Sequence, residues 1–78
     1  MSIEKWVEYP TPQKGFMPIG SGRIASYFYD KHEDAIAASE AAEHNAKAFG
    51  ITTNFVPPGD LGWREDRNQW EVAVVTRP

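Results

Sequence analysis

Residues 30–50 read DKHEDAIAASEAAEHNAKAFG, and the fold turns on this stretch. Asp30 and Glu33 stand in the Asp-x-x-Glu arrangement of a capping box, in which each side chain satisfies an orphan amide at a helix start. Gly50 stands where a helix ends in left-handed backbone, with Lys47 near the negative end of the dipole and Ile51 placed for a capping contact. At 100° per residue, Ala35, Ala38, Ser39, Ala42, Ala46 and Phe49 share one sector, a stripe of mostly small side chains that brings the helix close to a sheet. Glu33, Glu40, Glu43, His44 and Lys47 occupy another sector. Ala37, Ala41 and Ala48 form a second apolar strip that a single core does not explain.

Outward from this helix, the chain alternates as strands do. In residues 24–29, Ile24, Ser26 and Phe28 alternate with Ala25, Tyr27 and Tyr29, both sets largely apolar, which predicts an inner strand. Residues 70–76 repeat Trp70, Val72, Val74 and Thr76 on one face, the clearest strand pattern present. Residues 3–9 are rich in β-formers and read as an edge-type strand closed by Pro10 and Pro12, because proline donates no amide. Residues 51–56 read as a strand with one wetter face, ended by Pro57-Pro58-Gly59. Residues 15–22, with three glycines and a proline around Phe16, Met17 and Ile19, read as an irregular connector. The thirteen residues 57–69 read as a loop, long for a hairpin and so a candidate for function. The expectation is one α+β domain over residues 1–78. It is a two-layer ββαββ arrangement with a single helix on one face of a four-stranded antiparallel or mixed sheet.

Composition narrows the function classes. A chain of 78 residues buries only about 60% of its unfolded surface, so a deep cavity is not expected. The 41% hydrophobic content supplies the apolar mass that disordered chains lack. Absence of cysteine removes disulfides and thiolate metal sites, and a cytoplasmic location is the expectation. No stretch approaches the ~20 apolar residues of a membrane span, and the opening MSIEKW has no apolar run behind a basic patch. Within residues 30–50 five acids meet two lysines, giving −3, while the other six acids and six bases cancel. The whole net charge is therefore on the helix, and duplex nucleic-acid binding through many phosphate contacts is disfavoured.

The sets that catalysis needs are missing. No cysteine nucleophile exists, and serines 21, 26 and 39 lack an elbow or Ser-x-x-Lys signature. His32 and His44 are twelve residues apart and point differently from one helix, and His32-Glu33 lacks the second histidine of a zincin helix. Neither a metal nor another cofactor is expected. Gly20-Ser21-Gly22-Arg23 leads into a strand instead of following one, so it reads as a glycine-rich turn and not a phosphate cradle.

Two surfaces carry recognition chemistry. The first is the acidic ridge Glu33, Glu40 and Glu43 with Ile36 among the acids, either a solvated face or an apolar anchor ringed by charge that suits a basic protein groove. The second is residues 63–70, WREDRNQW, where Trp63, Arg64 and Arg67 are the residue types enriched in interface anchors. Its structural reading has Trp70 packing inward and Trp63 covering the edge of the core. The leading expectation is a non-enzymatic protein-binding module that acts stoichiometrically on a partner with a basic surface. Small acidic inhibitors made by phages and mobile elements share this size and charge. A second reading is a single-stranded nucleic-acid binder that stacks bases on Trp6, Tyr27, Tyr29, Trp63 and Trp70 and pairs phosphates with Arg23, Arg64 and Arg67. A third is a homodimer, in place of a monomer, built through Ala37, Ala41 and Ala48.

Overall fold

The computed structural model describes residues 5–19, 23–53 and 56–77. Two strands, β1 (Lys14–Ile19) and β2 (Ile24–Tyr29), precede one helix, α1 (His32–Phe49), and two more, β3 (Leu61–Arg64) and β4 (Gln69–Val75), follow it. The sheet order is β1-β2-β4-β3, and each neighbouring pair is antiparallel. β3 therefore runs in the direction of β2 with β4 between them, so α1 carries the chain over the strand that later fills the gap. Accordingly the helix lies across β2, β4 and β3, chiefly on β4. The class is α+β, with one helix packed on an antiparallel sheet.

Period-two alternation puts Ala25 and Tyr29 of β2 and Val72 and Val74 of β4 against Ala35, Ala38 and Ala42, and all seven are buried. Alanines on the helix let its backbone approach the sheet, as the stripe predicts. Ile24, Ser26, Phe28, Gln69, Ala73 and Val75, on the other face of the two central strands, are buried as well. Burial on both faces accounts for the near-continuous apolar character of residues 24–29 and 70–75.

Several local expectations are corrected. Asp30 does not cap the helix: Lys31 is the N-cap and no side chain bonds to the first turn. Asp30 works as a junction instead, accepting a hydrogen bond from Gln69 Nε2 at 2.9 Å while its own N–H donates to Gln13 Oε1 at 2.9 Å. At the other end Gly50 does adopt left-handed backbone, φ 64°, and Ile51 N–H returns to Ala46 O at 2.9 Å. Residues 51–53 and 56 are not a strand, and 54 and 55 lie outside the described residues. Thr53 Oγ1 donates to Val56 O there, which closes a local turn in place of a ladder bond. Conversely, part of the expected connector forms β1, and part of the expected 57–69 loop forms β3.

Residues 5–9 are not a strand either, and residues 3 and 4 of that expected strand lie outside the described residues. The segment crosses the helix as a strap. Asn45, fully buried on α1, accepts from Val7 N–H at 2.8 Å and donates to Val7 O at 2.9 Å, a backbone-like pair made by one side chain. His44 Nε2 meets Lys5 O at 3.0 Å on the same side. Trp6 packs edge-on to Phe49 and Tyr9, and Tyr9 to Tyr27, with centroids 5.6 to 5.9 Å apart. Ala41 and Ala48 lie on the helix flank shared by His44 and Asn45, and Ala41 is buried. Ala48 is half-buried there and Ala37 is exposed, so burial within the chain accounts for Ala41 and part of Ala48 but not for Ala37.

The phenols anchor this strap. Tyr9 Oη donates to Val75 O at 2.9 Å and accepts Val75 N–H at 3.2 Å, and Tyr29 Oη donates to Pro10 O at 2.8 Å. Burial pushes both hydroxyls above their ordinary value of 10.0. Below that pH both folded and unfolded chains keep these protons, so the two groups leave stability unchanged. Above it the unfolded chain ionises first, and stability falls as pH rises. Alkaline titration followed by phenolate absorbance and by circular dichroism should show Tyr9 and Tyr29 ionising together with loss of fold. Tyr29→Phe should remove part of that alkaline sensitivity.

Candidate protein-binding face

Trp63 is placed by register. It lies opposite Trp70 in the β3–β4 ladder, on the helix side of the sheet, and the two rings meet edge-on at 4.9 Å. The Trp70 ring also meets His32, from the first turn of α1, at 4.3 Å and a 36° tilt. His32, Trp70 and Trp63 thus form a row running from the helix to the sheet edge. Trp63 ends that row 45% exposed, a large apolar area for a residue of this size.

Ile36 follows His32 by one helical turn on the same flank and is 39% exposed. Glu43 lies two turns further and meets the chain at Gly59: a Cβ built on Gly59 would lie 2.7 Å from Glu43 Cγ and from Ser39 O. Ser39 Oγ donates to Gly59 O there, holding the segment that enters β3 against the helix. Glu33 and Glu40 complete the exposed ridge. None of Glu33, Glu40 and Glu43 takes part in an ion pair among the described residues. Glu40 and Glu43 also line a shallow groove of about 1050 Å³, together with His44, Lys47, Ile51 and Pro57. The helix ridge and Trp63, far apart in sequence, are parts of one surface because α1 and β3 flank the same edge of β4.

Arg64 and Arg67 belong elsewhere. Arg64 is the next residue along β3 and so points to the opposite face, where its guanidinium bonds Asp66 at 2.8 Å and Glu71 at 2.9 Å. Glu71 in turn accepts from Ser26 Oγ at 2.6 Å. These two carboxylates hold Arg64 firmly protonated, and its hydrogen bonds keep Asp66 below the ordinary carboxylate value of 3.8. Arg67 lies 4.2 Å over the Phe28 ring, shielding a buried aromatic on that face. A single-strand platform needs bases stacked and phosphates paired along one surface. Here the strand alternation sends Trp63 and Trp70 to one side and the two arginines to the other. Of the other proposed stackers, Tyr29 is fully buried and Trp6 packs on Phe49. Of the glycine-rich turn, residues 20–22 lie outside the described residues, and Arg23 accepts the Thr76 N–H at 3.0 Å.

What sequence reasoning lacked was the pairing that joins the two candidate surfaces. The presence of two tryptophans in residues 63–70 was a usable signal, since a four-residue turn between them places both rings on one face of a hairpin. Among the described residues, no helix is long and apolar enough to cross a membrane, and no group of three His, Asp or Glu side chains is placed to hold a metal ion. Comparison with protein-family models, with curated proteins and with solved structures finds no match.

Proposed function

We propose that this protein is a small, non-enzymatic binding module that docks Trp63, Ile36 and the ridge of Glu33, Glu40 and Glu43 on a protein partner with a basic surface. The observation that supports this reading is the union of a half-exposed tryptophan, an exposed isoleucine and three unpaired carboxylates on one side of the molecule. Aromatic anchors provide contact area at little entropic cost, and a complementary charged rim steers encounter and rejects acidic surfaces. The module acts stoichiometrically, as an occluding inhibitor of a basic, nucleic-acid-handling protein does.

The test is affinity capture from nuclease-treated and untreated host-cell extract, with captured proteins identified by mass. The wild type should retain a basic protein in both extracts. Glu40→Lys combined with Glu43→Lys should lose it, Trp63→Ala should weaken it about tenfold or more, and Arg64→Ala with Arg67→Ala should leave it in place. Capture unaffected by the charge reversals, or abolished by nuclease, rejects the reading.

A further inference from the structure

We propose that the outer edge of β3 receives an extended, basic segment of the partner as a fifth strand, with alternate lysine or arginine side chains lying against the acidic flank of α1. This mode of binding rests on the docking face proposed above. Ala73 donates its N–H to Asp60 O at 2.9 Å and accepts that of Gly59 at 2.7 Å, so the odd-numbered residues of β4 address β3. Val72 and Trp70 therefore address β2. Leu61 and Trp63, opposite these two in the ladder, must then point their own N–H and C=O groups outward. No hydrogen bond reaches those outward groups among the described residues.

The two edges of the sheet are treated differently. β1 carries Pro18 and a register shift between Lys14 and Met17, the devices that blunt an edge against pairing. β3, LGWR, has no proline and no lysine, and its arginine is committed to Asp66 and Glu71. Among the described residues, only the β3 edge is left as a pairing template. Four main-chain hydrogen bonds at Leu61 and Trp63 do not by themselves offset the cost of association, so side chains must supply the rest.

Alternation decides which side chains these are. In an antiparallel addition, the residues bonded to Leu61 and Trp63 project to the same face as those two, toward the flank carrying Ile36, Glu40 and Glu43. A strand with lysines at those positions meets the unpaired carboxylates, and its stems cover Trp63 and Ile36. Past Gly59 the same line runs into the groove lined by Glu40, Glu43 and Pro57, which extends the acidic wall beyond the four residues of β3.

The probe is a short synthetic peptide alternating lysine with valine, with a glutamate–valine peptide as its charge control, titrated into the full chain. Amide exchange at Leu61 and Trp63 should slow about tenfold or more on saturation, and the glutamate peptide should not bind. N-methylation at the lysines should abolish binding, whereas N-methylation at the valines should not. Glu40→Lys with Glu43→Lys should weaken binding about tenfold. Absence of binding overturns the proposal. Binding that needs Glu40 and Glu43 but leaves both amides unprotected overturns strand addition while the docking face stands. Protection indifferent to the charge reversals overturns the basic assignment and the docking face with it. Protection of these amides in peptide-free protein, rising with concentration, identifies a second copy as the occupant and overturns the partner assignment.

Discussion

Asn45→Ala should lower the stability of this protein by about 3 kcal/mol, a large share of what a chain of this length has available. Asn45 is fully buried and makes two hydrogen bonds to the backbone of Val7, so removal leaves a donor and an acceptor of the strap without partners. Part of the loss is a cavity beside the helix, and part is the desolvation of two unpaired backbone groups. Asn45→Leu separates the two contributions. Leucine restores the volume but neither bond, so it should recover well under half of the loss in urea unfolding. The strap should detach first: Val7 amide exchange should rise toward that of an open chain before the sheet amides respond. Recovery of full stability by leucine would mean that packing, and not the paired amide, holds the strap.

Gly59→Ala should be of comparable size, about 3 kcal/mol, from two causes at one position. Its φ of 87° is a conformation that L side chains rarely adopt, which costs on the order of 1 kcal/mol or more. The added Cβ would also lie 2.7 Å from the Ser39 carbonyl oxygen, a backbone atom of α1 that cannot swing aside as the Glu43 side chain can. Helix and β3 entry would have to separate, disturbing the groove and the placement of Trp63. Gly62→Ala is the matched control: a Cβ there meets nothing within 4 Å, and the change in urea midpoint should stay within about 0.5 kcal/mol equivalent. If Gly59→Ala also reduces partner capture while Gly62→Ala does not, the helix–β3 junction is part of the docking geometry.

These two positions show why some features were legible and others were not. The span of α1, its left-handed end at Gly50 and its alanine stripe were readable because they follow from short-range periodicity and one glycine. β2 and β4 were readable because their alternating patterns are long enough to differ from chance and are buried on both faces. By contrast, residues 5–9 and Leu61–Arg64 carry similar β-forming side chains and have opposite fates. β-propensity measures how well a side chain fits a pleated surface, not whether a neighbouring strand is present to pair with. Val7 is taken out of any ladder by Asn45, thirty-eight residues away. Leu61 and Trp63 enter one because Val72 and Trp70 lie beside them. Asp30 shows the same override on a smaller scale, since Gln69 and Gln13 occupy the groups a capping box would use.

For the candidate site, the individual residues Glu33, Ile36, Glu40, Glu43 and Trp63 were visible as exposed or anchor-type side chains, but their union was not. By itself the sequence determined the helix, the two inner strands and the concentration of net negative charge on residues 30–50, because each depends on nearest neighbours or on counting. Only the tertiary structure decided that Trp63 joins the acidic ridge while Arg64 and Arg67 leave it. That outcome depends on which face of β3 turns toward the helix, and a shift of one residue in strand register would reverse it.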